Sequence, residues 1–111
     1  MADEPPQRGE IWIVEFGPSV GGEIQKIHPT IILSNDTANG LLNRVQVVPI
    51  SSRTERLYPS EAYVTVSGER RKAMVDQMTT VSKLRLLRRL TRLPDEDLVA
   101  IGRVACLHLG L

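Results

Sequence analysis

The feature that most constrains this sequence is a series of short apolar runs, several of them β-branched, each cut off by turn residues before it reaches helical length. Glu10–Phe16 (EIWIVEF), Pro29–Ser34 (PTIILS), Arg44–Ile50 (RVQVVPI), Ser60–Val66 (SEAYVTV) and Lys72–Met78 (KAMVDQM) are the runs. Segments of this length and composition between Gly, Pro, Asn and Ser clusters predict strands. Gly17-Pro18-Ser19-Val20-Gly21-Gly22 continues neither helix nor strand and predicts a loop running to about Ile27. Asn35 to Gly40 is rich in turn residues, and Ser67 to Arg71 has a length suited to a hairpin connection. Pro29 is tolerated at the first position of a strand, whereas Pro49 points to an edge or a strand end.

Beyond Ser82 the spacing changes. Leu84, Leu87 and Leu90 or Thr91 recur at three- to four-residue spacing among Lys83, Arg85, Arg88, Arg89 and Arg92, which predicts a short amphipathic helix capped by Ser82. Pro94-Asp95-Glu96-Asp97 opens a final helix, because proline is accepted in a first turn and acids favour the positive end of the helix dipole. Its core face would include Leu98, Ile101 and Ala105. Strands followed by terminal helices predict an α+β, mainly β domain: a small twisted barrel or half-barrel with short C-terminal helices at one end. At 111 residues the chain suits one such domain over 8–111, with 1–7 as a flexible N-terminal segment.

Several function classes are excluded by what is missing. No apolar run reaches the roughly 20 residues that span a bilayer, and residues 1–10 lack the plan of a secretory signal, so a cytoplasmic protein is expected. Cys106, the single cysteine, lies among apolar residues and is expected to be a buried, inert thiol. His28 and His108 stand eighty positions apart and form no metal-ligand spacing, so neither metal nor another cofactor is expected; partial burial is expected for His108. The glycines at 17–22 match no phosphate-binding fingerprint. Four aromatic residues are too few for an extended base-stacking sheet. Trp12 is expected in the core or at an interface.

The net charge of +1 conceals an asymmetry: residues 1–36 hold six acids and two bases, residues 44–92 eleven bases and four acids. Such a basic middle is compatible with an anionic partner, and equally with solvated arginines on ordinary surface.

In order along the chain, several segments resemble the MazF/PemK family of toxin–antitoxin ribonucleases. Arg8-Gly9-Glu10-Ile11-Trp12 is similar to the family's opening strand. Gly21-Gly22-Glu23, Lys26 and Pro29-Thr30-Ile31-Ile32-Leu33-Ser34-Asn35 are similar to its active-site loop and second strand. Val47-Val48-Pro49-Ile50-Ser51-Ser52 resembles the third-strand motif, and Asp76-Gln77-Met78 a later strand motif; Leu90 to Asp97 and Leu107 to Leu111 resemble the C-terminal helix. The resemblance implies an SH3-like barrel of the CcdB/PemK kind, a homodimer, and metal-independent cleavage of single-stranded RNA. It also implies a cognate antitoxin whose acidic C-terminal tail covers the RNA-binding surface.

Cleavage without metal uses the neighbouring 2′-hydroxyl as nucleophile and leaves a 2′,3′-cyclic phosphate and a 5′-hydroxyl. The protein must take one proton, stabilise the phosphoryl oxygens and return a proton to the leaving oxygen. The family implicates an arginine just before the second-strand proline and a Thr or Ser after the third strand, positions held here by His28 and Ser51. An imidazole, with an ordinary pKa of about 6.5, serves as acid or base where an arginine serves as an electrostatic clamp. Two outcomes follow: His28 performs proton transfer in the arginine's place, or cleavage is lost and RNA binding remains. Lys26, Arg53 and the less favoured Arg56 are candidate phosphate ligands, Gln77 a candidate base or phosphate contact, and Glu23 a loop carboxylate that would act as base or orient a cation. Thr79 stands where the family often has Arg or Lys. The alternative is a non-catalytic RNA-binding or gyrase-binding toxin of the same fold, and, more remotely, an adaptor for proline-rich peptides.

Overall fold

The computed structural model describes residues 4–17, Gly21 and residues 27–111. The chain forms β1 (Glu10–Glu15), β2 (Ile27–Ile32), α1 (Asp36–Leu41), β3 (Arg44–Ser51), β4 (Glu61–Val66), β5 (Glu69–Met74), β6 (Thr79–Ser82), β7 (Leu86–Arg92) and α2 (Asp95–Leu109), with 3₁₀ turns at Val75–Gln77 and Lys83–Arg85. The strands are antiparallel in the order β4-β5-β3-β2-β1-β7, with β6 also paired to β3.

The sheet curls because β3 changes partner along its length. Arg44 to Val47 pair with β6, whereas Ile50 and Ser51 pair with β5. Pro49 lies in the interval where neither strand pairs, so its missing N–H is placed at the hand-over between partners. The result is a half-barrel with two apolar clusters. Ile11, Ile31, Val48, Ile50, Ala62, Val64 and Ala73 pack with Leu93 and Ile101 beneath α2. Val14, Ile32, Val45, Val47 and Val81 pack on the opposite side, with Trp12 against them. Adjacent residues such as Ile31 and Ile32 thus enter different clusters, as the two-residue period of a strand requires.

Residues 86–92, expected to be helical, are instead an edge strand. Its register against β1 is Glu10 to Arg92, Ile11 to Thr91, Trp12 to Arg89, Ile13 to Arg88 and Val14 to Leu86. The pairing skips Leu90 and Leu87, each an extra residue at a register irregularity. Two such bulges stretch the two-residue period of a strand to three and imitate one face of a helix. The two skipped leucines are 39% and 52% exposed, and Leu84 is 93% exposed, so these residues form no buried helical face. Ser82 caps only the 3₁₀ turn, accepting from the Leu84 N–H.

Three other expectations change in detail. Asn35 to Gly40 contains a short helix, because the Asn35 side chain caps it by accepting from the Ala38 N–H at 2.8 Å. The β4–β5 connection is tighter than five residues. Ser67 and Gly68 have φ of 51° and 83°, the paired left-handed conformation of a two-residue hairpin, so β5 begins at Glu69 and ends at Met74. Cys106 and His108 are exposed rather than buried, because the sheet covers one stripe of α2, centred on Ile101, and leaves the rest to solvent.

The final helix starts where the acids predict, with Asp95, Glu96 and Asp97 in its first turn, and ends at Gly110 in the left-handed conformation. No helix among the described residues is long and apolar enough to cross a membrane.

Candidate active site

β2 and β3 pair through Thr30–Pro49, Ile31–Val48 and Ile32–Val47. Continuing that register by two residues sets His28 opposite Ser51. The half-buried His28 imidazole reaches across this end of the sheet, and its Nε2 hydrogen-bonds the Ile50 carbonyl oxygen. A carbonyl oxygen only accepts, so Nε2 carries the proton. In the neutral ring Nδ1 is then the basic nitrogen.

Ser51, half-buried at the end of β3, accepts the Arg53 backbone N–H on its Oγ at 3.1 Å. That bond orients the hydroxyl and leaves its own proton available to an incoming oxygen. Arg53 follows on the loop and is exposed. An imidazole with a basic nitrogen and a hydroxyl donor therefore lie at one end of the β2–β3 pair, and Arg53 is on the loop that follows. Together they offer proton transfer and two ways to hold a phosphoryl group.

The loop after Ser51 is tied down by residues that sequence reasoning did not single out. Lys72 stands directly opposite Ser51 in the β3–β5 register, and Tyr63 stands opposite Lys72 in the β4–β5 register. Lys72 Nζ pairs with Glu61 Oε1 at 2.9 Å, both side chains being less than 10% exposed, and also donates to the Arg56 carbonyl at 3.1 Å. The same Glu61 oxygen accepts the Tyr58 N–H at 2.9 Å. Tyr63 Oη donates to the Thr54 carbonyl at 2.8 Å. The available signal was Lys72 next to Ala73 within a strand run: a lysine in such a run needs a partner if its head is buried.

Of the other expected site residues, Gln77 lies on a different element. It occupies the 3₁₀ turn after β5, its amide 3.8 Å from the Met74 sulfur, and makes no hydrogen bond to His28 or Ser51. Arg56 lies on the tethered loop with its guanidinium donating to Tyr58 Oη at 3.2 Å. Glu23 and Lys26 lie outside the described residues. No three His, Cys, Asp or Glu side chains converge among the described residues.

The family model described as "PemK-like, MazF-like toxin of type II toxin-antitoxin system" matches residues 7–109. The chain belongs to this family. Among curated relatives of this MazF-like chain, Endoribonuclease MazF9 of Mycobacterium tuberculosis is 32% identical over 114 residues, covering 95% of this chain and 97% of that protein. The crystal structure of MazF (Form-I) from Deinococcus radiodurans superposes with a TM-score of 0.85 at 24% identity, covering 98% of this chain and all of the other. A mycobacterial endoribonuclease in complex with its cognate antitoxin gives 0.80 at 22% identity, covering 96% of each chain. The half-barrel with its C-terminal helix is thus the MazF fold.

Proposed function

We propose that this MazF-like toxin is a metal-independent endoribonuclease that cleaves single-stranded RNA, with His28 and Ser51 in direct contact with the reacting phosphate. His28 Nδ1 takes the proton of the 2′-hydroxyl as that oxygen attacks phosphorus. The Ser51 hydroxyl donates to a non-bridging oxygen, and Arg53 holds the phosphate charge. The P–O5′ bond breaks, the departing oxygen takes a proton from solvent while protonated His28 returns one to solvent, and the products are a 2′,3′-cyclic phosphate and a 5′-hydroxyl. Lys26 and Glu23 are assigned to the RNA-binding surface from the neighbouring loop; Gln77 would contact a base or a phosphate.

The observation that carries this assignment is the His28 imidazole, pinned through Nε2 to the Ile50 carbonyl beside the Ser51 hydroxyl. Family membership and the 32% identity to an endoribonuclease support the reaction class. The toxin acts as a homodimer in the cytoplasm and is neutralised by a cognate antitoxin with an acidic C-terminal tail. The mycobacterial toxin–antitoxin complex of the same fold supports that partnership.

The test is cleavage of mixed single-stranded RNA in the presence of chelator, with product ends mapped, by the wild type and by His28→Ala and His28→Arg. Wild-type cleavage to cyclic phosphate ends, and loss of about two orders of magnitude in the Ala variant, are expected for a general acid–base group. Full activity in His28→Ala would remove proton transfer from this residue.

A further inference from the structure

The surface beside the tethered loop has a second feature that phosphate chemistry does not use. Arg70 lies one step diagonally from Tyr63 across the β4–β5 ladder, on the same face as Lys72 and Ser51. Its guanidinium carbon sits 3.6 Å over the centre of the Tyr63 ring. That ring is held from its other end by the Thr54 carbonyl, so the stack has a fixed orientation.

The neighbouring cations are already engaged. Arg71 pairs with Glu69, and Lys72 pairs with Glu61, whereas Arg70 has no carboxylate partner among the described residues. Arg70 is exposed, so the outer face of its planar guanidinium is open to a flat ligand. The Arg70–Tyr63 stack borders a cavity of about 310 Å³ also lined by Val64, Thr65, Gly68 and Asp97. Asp97 Oδ2 accepts the Thr65 N–H at 2.8 Å, and its Oδ1 has no partner among the described residues.

A guanidinium plane backed by an aromatic ring, next to one unsatisfied carboxylate oxygen, has the chemistry that recognises a nucleobase. Unpaired bases stack on arginine planes and present amine donors on their edges. The stack lies two strands from Ser51, about 10 Å at ordinary strand spacing, within the reach of the same RNA strand. We infer that Arg70, Tyr63 and Asp97 form a nucleobase subsite flanking the scissile phosphate, with preference for a base bearing an exocyclic amine over uracil.

This inference rests on the ribonuclease assignment, and its test separates the two. Full-length Arg70→Ala, Arg70→Lys and Asp97→Asn are compared with wild type in cleavage of a randomised single-stranded RNA pool. Affinity for 2′-deoxy-substituted, uncleavable oligonucleotides is measured by fluorescence anisotropy. Thermal melts confirm that each variant is folded. Arg70→Ala is expected to weaken binding roughly tenfold. It should also flatten base preference at one position of the cleavage profile, and Arg70→Lys should restore neither, because it keeps the charge and loses the plane. Asp97→Asn should relax only the discrimination between amine-bearing bases and uracil.

Unchanged binding and profile in Arg70→Ala, in a wild type that cleaves, would overturn the subsite alone. Full rescue by Arg70→Lys would make the residue a phosphate contact and overturn base stacking. Weakened capture of an acidic antitoxin-tail peptide with unchanged RNA binding would assign the site to protein and overturn the inference. A wild type that cleaves no RNA would overturn the ribonuclease assignment, and with it the use of this subsite, whatever the variants bind.

Discussion

Replacing Lys72 with Met separates the stability of this domain from the positioning of its active-site loop. Methionine keeps most of the length and apolar stem of lysine but removes the ammonium that pairs with Glu61 at 2.9 Å and donates to the Arg56 carbonyl at 3.1 Å. Both partners are nearly buried, so the Glu61 carboxylate would remain in the interior with the Tyr58 N–H as its only remaining donor among the described residues. Removing one member of a buried pair costs about 3–5 kcal/mol. A domain of this size holds about 5–15 kcal/mol in total. At about 4 °C per kcal/mol, the melting temperature should fall by roughly 12–20 °C.

The double replacement Lys72→Met with Glu61→Leu removes both charges and should recover most of that loss, since an apolar pair of similar volume is often neutral or stabilising. It would not recover the tether to Arg56 and Tyr58. The loop carrying Arg53 should therefore stay loose, and cleavage should stay depressed while the melting temperature returns. Circular-dichroism melts beside a cleavage assay read the two effects separately. A fall of less than about 1 kcal/mol in Lys72→Met, or full cleavage by the double variant, would refute the reasoning.

Other substitutions probe individual contacts. Ser51→Thr should retain cleavage because it keeps the hydroxyl, whereas Ser51→Ala should lose roughly a hundredfold in kcat, read in single-turnover cleavage. Asn39→Ala should lower stability by about 1–3 kcal/mol in urea titration, because the fully buried amide donates to the Ser34 carbonyl at 2.9 Å and accepts the Ser34 hydroxyl at 2.5 Å. Gly9→Ala should cost more than ~1 kcal/mol in the same titration, since Gly9 has φ of 91° and a Cβ there would meet Leu98 Cδ2 at 3.1 Å.

His28 and Ser51 were singled out through the family resemblance, and both sit near strand ends. Pro29 and Pro49 mark neighbouring places on β2 and β3, and the register puts His28 and Ser51 level with each other. The order of the short segments was enough to suggest the family. Lys72, Glu61 and Tyr63 were not legible as a unit, because their meeting depends on β5 joining both β3 and β4. Gln77 belongs to a matching segment and lies in the 3₁₀ turn after β5.

The sequence by itself determined the short strands and the acidic start of α2. These follow from local propensity, from period and from chain order. Tertiary structure decided that Leu86–Arg92 is a strand, since only pairing with β1 turns a three-residue leucine spacing into two bulges. It also decided which cations face solvent. Lys72 is neutralised by Glu61 and Arg71 engaged by Glu69, whereas Arg70 is left stacked on Tyr63, because side-chain pairing across a sheet is set by register that no single run of sequence contains.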